Sequence, residues 1–166
     1  MITRRSMMIG AAVGIAGCSR STAPEIPRYF GPEVTRIQVF KQHRTMQLLH
    51  NDTLLRHYKV DLGFNPSEHK LQEGDGRTPE GAYRIDRQNP NSRFHLSVGI
   101  SYPNVDDVAR ARAMGVKPGG DIFIHGTPDQ WAGVPDWTWG CIAVTNTEME
   151  EVYSMVGLGT KIFIYA

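Results

Sequence analysis

The sequence predicts a mainly β domain with a few short helices. Three observations predict it. From Val34 onward, apolar residues come in short runs close to alternation. Turn-forming pairs and Gly- and Pro-rich stretches separate those runs, and only two segments combine helical spacing with a start or stop signal. A length of 166 residues suits one domain, and 40% apolar with 21% charged residues allows an ordinary core and rules out wholesale disorder. Eighteen Lys and Arg against 17 Asp and Glu leave a formal charge of +1, which supplies no basic field for nucleic acid. The two cysteines, Cys18 and Cys141, are too few for a disulfide scaffold or for a zinc site needing several thiolates.

The elements follow in order. Val34, Ile37, Val39 and Phe40 mark a first strand. Met46–His50 and Thr53–Val60 form a hairpin across Asn51-Asp52, a pair that tolerates turn geometry. Residues 71–81 hold three glycines and a proline and read as a loop. Ala82–Asp86 and Phe94–Ile100 are further strands, separated by the turn-rich stretch 88–92. Asp106–Met114 reads as a helix, with acids at its N-terminus and Gly115 just beyond its C-terminus. A second helix begins at Thr147, with Glu150 completing a capping box; Met149, Val152, Tyr153 and Val156 make its apolar face. Asp121–Ile124 and Lys161–Tyr165 are short apolar runs expected as buried strands.

The N-terminus reads as an address. A basic start, Met1 to Arg5, precedes an apolar run of 11 residues from Met7 to Gly17, well short of the roughly 20 that cross a bilayer. The run ends in Ile15-Ala16-Gly17-Cys18, which resembles the lipobox of bacterial lipoproteins; the alternative is a buried helix with a chance cysteine. The resemblance implies a signal peptide over residues 1–17 and lipidation of Cys18, hence export to the periplasmic face as a membrane lipoprotein. Arg4-Arg5 also gives a partial likeness to a twin-arginine export signal. Residues 18–33 are then anchor and tether, and the 15 residues from Ser19, rich in Pro, Ser and Gly, could reach about 50 Å when extended.

The chemistry concentrates in residues 122–146. A thiol attacks a carbonyl as thiolate, so it needs a partner for its proton, and histidine is the usual one. His125 ends the run Asp121–Ile124, and Cys141 follows 16 residues later, after a segment rich in Gly, Pro and Trp. Gly140 lets the backbone approach a substrate, and the amides of Gly140 and Cys141 could bind a developing oxyanion. Trp131, Trp137 and Trp139 read as walls of a cleft. The bland alternatives are a cysteine buried as a small hydrophobe and a structural histidine. His69, His95, His125 and Asp75 have no metal-binding spacing to recommend them.

These residues resemble the L,D-transpeptidase catalytic domain, or YkuD domain, of bacterial cell-wall enzymes. That family's signature is His-Gly at a strand end and then Ser/Thr-x-Gly-Cys; the chain has His125-Gly126 and Thr138-Trp139-Gly140-Cys141. Upstream, residues 74–83 (GDGRTPEGAY) resemble the family's GD-x-x-TP-x-G-x-Y segment. The resemblance spans Val34 to Tyr165, within a catalytic domain drawn at 34–166. It implies a β-sandwich or mixed sheet, Cys141 as nucleophile, His125 as proton donor and acceptor, and the Gly126 carbonyl orienting that imidazole. It further implies that Thr138 orders the nucleophile loop and that Trp139, Gly140 and Tyr102 contact substrate. No metal or other cofactor is implied. The implied reaction is acyl transfer from peptidoglycan stem peptides, through a thioester formed at the bond between an L-centre and D-Ala, to an amine. Many members carry Arg or Asn two residues after the cysteine, where this chain has Ala143. That departure keeps two rivals in view, an L,D-carboxypeptidase or other hydrolase and a non-catalytic wall-binding lipoprotein.

Overall fold

A computed structural model describes Pro24 and residues 26–166, so the expected signal peptide and Cys18 lie outside the described residues. Eight strands and two α-helices are described. They are β1 (Arg36–Phe40), β2 (Thr45–His50), β3 (Thr53–Lys59), β4 (Gly81–Asn89), β5 (Ser97–Ile100), α1 (Val105–Ala113), β6 (Phe123–His125), β7 (Ile142–Ala143), α2 (Asn146–Met155) and β8 (Lys161–Tyr165).

The strands form one mixed sheet in the order β3-β2-β1-β8-β4-β5-β6-β7. Parallel pairs, β1 with β8 and β6 with β7, sit among antiparallel ones. Strand β4 belongs to both halves of the sheet. Its Gly81–Arg84 pair with β8 and its later residues pair with β5, across a register irregularity between Ile85 and Arg87. Such irregularities bend a strand, and here the bend curls the sheet so that its two halves share a core.

Alternation selects what enters that core. Ile37 and Val39 of β1 point inward with Met46 and Leu48 of β2 and Ile162 and Ile164 of β8, all but fully buried. Strand β5 is buried at every position, because α2 packs over β5 and β6. Each such side chain contributes roughly 1.5–3 kcal/mol by leaving water. The segment before β1 is no free tether to its end, since Tyr29 packs against the core and the Glu33 carbonyl is hydrogen-bonded by His50 at 2.8 Å.

Three expectations need correction. The strand expected over Phe94–Ile100 begins only at Ser97, because His95 takes a left-handed φ of 72° and Phe94 turns its ring elsewhere. Helix α2 is capped by Thr145 and Glu148, not by Thr147 and Glu150. Both pairs have capping-box spacing, but the Glu150 carboxylate is held by His95 at 2.7 Å. Helix α1 starts on a capping box too, from Asn104 and Asp107, where the sequence suggested only a favourable dipole. The cap of α2 can be checked by urea unfolding: Thr145→Ala should cost about 1 kcal/mol, whereas Thr147→Ala should stay within about 0.5 kcal/mol.

Candidate active site

His125 closes β6 in the middle of a three-strand ladder, opposite Ser97 of β5 and Ala143 of β7. It is 2% exposed. Its Nδ1 lies 2.7 Å from the Gly126 carbonyl oxygen. A carbonyl only accepts, so Nδ1 carries the proton and Nε2 keeps its lone pair. The Phe94 ring stacks on the imidazole at 4.6 Å, and the Trp137 edge meets it at 5.5 Å. Trp131 lies flat on Trp137 at 5.3 Å, so two of the three tryptophans build one wall beside the histidine. Burial lowers the His125 pKa against the opposing effect of the Gly126 carbonyl, which keeps the ring neutral at pH 7.

Gly126 allows this arrangement by close approach. A Cβ there would stand 2.4 Å from Asn146 Oδ1 and 2.9 Å from the Phe94 carbonyl oxygen. The Gly126 N–H donates to that same carbonyl at 3.0 Å. The segment carrying Phe94 is thereby fastened to the residue that orients the imidazole.

Cys141 sits on the loop entering β7. Its thiol faces the Asp121 carbonyl at 3.5 Å. Burial pushes the thiol pKa up to about 11, against weaker help to the thiolate from the Phe123 backbone and the Lys70 ammonium. The resting groups are therefore a neutral thiol and a neutral imidazole. The Thr138 hydroxyl donates to the Cys141 carbonyl at 2.8 Å and accepts the Gly140 N–H at 3.1 Å. That second bond revises one expectation. The Gly140 amide is already used, so the Cys141 N–H is the better placed of the two for an oxyanion.

The nucleophile loop rests on the upstream motif. Gly140 has a φ of +122°, and a Cβ there would come 2.5 Å from the Arg77 carbonyl oxygen. A Cβ at Gly63 would meet the Gly76 carbonyl oxygen at 2.0 Å and Gly140 Cα at 2.9 Å, so three backbones converge at the residue before Cys141. Asp75 holds this layer by accepting from the Leu71, Gln72 and Arg77 amides and the Lys70 ammonium, at 2.8–3.0 Å. Burial alone would raise the Asp75 pKa, and these four donors outweigh it and lower it. The Thr78 hydroxyl takes the Gly63 N–H at 3.2 Å. On the far side, Arg44 grips Asp136 through two nitrogens at 2.8–2.9 Å and pins the segment between His125 and Cys141.

Cys141 and His125 line one hollow of 490 Å³, together with residues of the β4–β5 turn. Cys141 also lines a second hollow of 410 Å³ with Lys70, Glu73 and Trp139. Trp139 is 71% exposed and meets Phe64 edge-on at 5.0 Å. Tyr102 lines neither hollow, contrary to the sequence reading. It is buried, packs on Tyr83 and donates its hydroxyl to the Pro118 carbonyl at 2.9 Å, a core role. Ala143 is buried and opens onto a third hollow of 880 Å³ that reaches neither Cys141 nor His125. Sequence reasoning missed Phe94 and Asp121 as partners of the site; the Asn89–Ser92 turn signal before Phe94 was the available hint. His69 and His95 are engaged elsewhere, with Asp107 and Glu150. Gly140→Ala should destabilise the fold by about 1–3 kcal/mol through its forced left-handed backbone, and urea unfolding checks it.

Known proteins resemble this chain in sequence and in fold. Residues 34–164 match the L,D-transpeptidase catalytic domain, YkuD. An Escherichia coli (strain K12) protein named "Putative L,D-transpeptidase YafK" is 33% identical over 156 residues, covering 86% of this chain and 56% of the relative. The chain thus spans little more than half of that relative's length. Among solved structures, a variant of the helical cell shape determining protein Pgp2 from Campylobacter jejuni superposes with a TM-score of 0.64 at 25% identity, over 82% of this chain and 48% of that one. Bd1075 from Bdellovibrio bacteriovorus gives a TM-score of 0.58 at 25% identity, over 80% and 48%. An L,D-transpeptidase from Mycobacterium smegmatis, at 15% identity and a TM-score of 0.55 over 80% and 59%, shares the fold. The chain belongs to the L,D-transpeptidase catalytic domain family.

Proposed function

We propose that this protein is a cysteine-dependent peptidoglycan L,D-transpeptidase, exported and held at the periplasmic face by a lipid on Cys18. One observation carries the reading: an imidazole with Nδ1 tied to a backbone carbonyl shares a hollow with a thiol that also opens onto a second hollow. A group-transfer enzyme needs that arrangement, one proton carrier and room for two substrates on one nucleophile.

The reaction proceeds in two halves. Cys141 Sγ attacks the carbonyl carbon of the stem-peptide bond between an L-centre and D-Ala, while its proton passes to His125 Nε2. Because the thiol is neutral at rest, proton transfer accompanies attack. The carbonyl oxygen becomes an oxyanion facing the Cys141 N–H. The C–N bond breaks, D-Ala leaves with the proton from His125, and a thioester remains. An amine, such as the side-chain amine of a neighbouring stem, then attacks the thioester carbon. His125 takes the amine's proton and returns it to the departing thiolate. Thr138 holds the nucleophile loop throughout, and Trp139 provides an apolar wall for the stem. Anchored by Cys18 and the tether, the domain would act on wall close to a membrane and so contribute to wall biogenesis and cell shape.

Water in place of the amine would make the same site an L,D-carboxypeptidase. The absence of a cation at position 143 is weak support for that rival, because Ala143 opens onto a hollow that Cys141 and His125 do not line. Mass spectrometry of products from disaccharide-tetrapeptide separates the readings. The protein should release D-Ala and form cross-linked dimers, Cys141→Ala should do neither, and His125→Ala should be slower by about 10²–10⁴-fold. Release of D-Ala without dimers, even with added amine, would establish the hydrolase. Full activity in Cys141→Ala would refute the mechanism, and inertness of the unaltered protein would leave a binding lipoprotein.

A further inference from the structure

The hollow that holds the imidazole contains a cation with no assigned role. Arg93 lines it beside Cys141 and His125. The turn between β4 and β5 carries Arg93 and is pinned locally. The Asn91 N–H donates to Asn89 Oδ1 at 2.9 Å and the Phe94 N–H donates to Ser92 Oγ at 3.1 Å. The next residue, Phe94, lies on the imidazole at 4.6 Å, so Arg93 adjoins the ring that covers His125. Arg93 is exposed and pairs with no carboxylate among the described residues. Its neighbour Arg87 differs, being committed to Asp121 at 3.1 Å and to the Phe123 ring face. Asp121, the acid in the same hollow, already accepts that Arg87 bond.

Resting on the proposed reaction, we propose that Arg93 selects the amine partner by binding its α-carboxylate. His125 must reach the nitrogen that leaves and, by reversal of the same step, the nitrogen that enters, so both occupy the hollow of His125. D-Ala carries its carboxylate on the carbon bearing that nitrogen. An amine placed for proton exchange with Nε2 therefore sets a carboxylate within a short reach of the nitrogen, in a hollow where Arg93 is the unengaged cation. A guanidinium matches a carboxylate through two parallel hydrogen bonds. The hollow is thus a site for D-amino-acid-like amines with a free α-carboxylate, and amines lacking one are poor acceptors. The hollow with Lys70, Glu73 and Trp139 is left for the acyl donor's stem.

The test uses Cys141→Ala protein, which cannot be acylated, titrated with D-alanine and with D-alaninamide and followed by NMR shifts of the labelled protein. D-Alanine should bind about tenfold tighter. The additional change Arg93→Ala should abolish that preference and Arg93→Lys should retain part of it. Equal binding of the two probes, or a preference that survives Arg93→Ala, overturns the proposal. The readout needs no turnover, so failure of the protein to act on stem peptides would sink the proposed reaction, while the carboxylate preference alone decides the role of Arg93.

Discussion

The hydrogen bond from His125 Nδ1 to the Gly126 carbonyl, 2.7 Å long, is the constraint on which the rest of the site depends. It decides which ring nitrogen holds a proton and leaves Nε2 as a base. The bond exists because β6 ends at His125 and the chain turns at once through a glycine too crowded to accept a side chain. Phe94 and Trp137 then close on the ring and remove it from water. Desolvation lowers the imidazole pKa, so one set of contacts supplies tautomer, orientation and charge state together.

The thiol is placed by a second, independent structure. Its loop lies on the backbone layer of Gly63, Gly76 and Arg77. Asp75 and Thr78 hold that layer in shape through hydrogen bonds to backbone amides. Lys41, almost fully buried, ties it to the end of β1 by bonding the Thr78 carbonyl at 3.1 Å and Glu80 at 2.7 Å. Burial lowers the Lys41 pKa while Glu80 opposes that shift. The two sequence motifs, some 60 residues apart, are therefore one object, a cradle and the loop it carries. Raising the thiol pKa to about 11 makes the site depend on its base, which ties the two structures functionally.

Much of this was legible in the sequence, for definite reasons. Thiol chemistry needs a proton carrier, so Cys141 and His125 stand out by residue type, and strand alternation exposes Ile37, Val39, Ile162 and Ile164 as core. What escaped depends on partners distant in sequence. Thr145 and Thr147 offer the same cap signal, and only the capture of Glu150 by His95 decides between them. Tyr102 follows a strand near the site, yet its ring is drawn inward by Tyr83 and the Pro118 carbonyl. Phe94 reads as a strand residue until the left-handed backbone of His95 releases it toward the imidazole. The Gly140 amide looks free until the Thr138 hydroxyl is seen to take it.

The most direct test of this account is the protonation state of His125 itself, read from its ring ¹⁵N shifts across a pH titration of the unmodified protein. The ring should be the neutral Nδ1–H tautomer at pH 7, with protonation of Nε2 only below the ordinary histidine value of 6.5. An Nε2–H tautomer, or an imidazolium persisting at neutral pH, would contradict it, because neither could accept the proton of a neutral thiol.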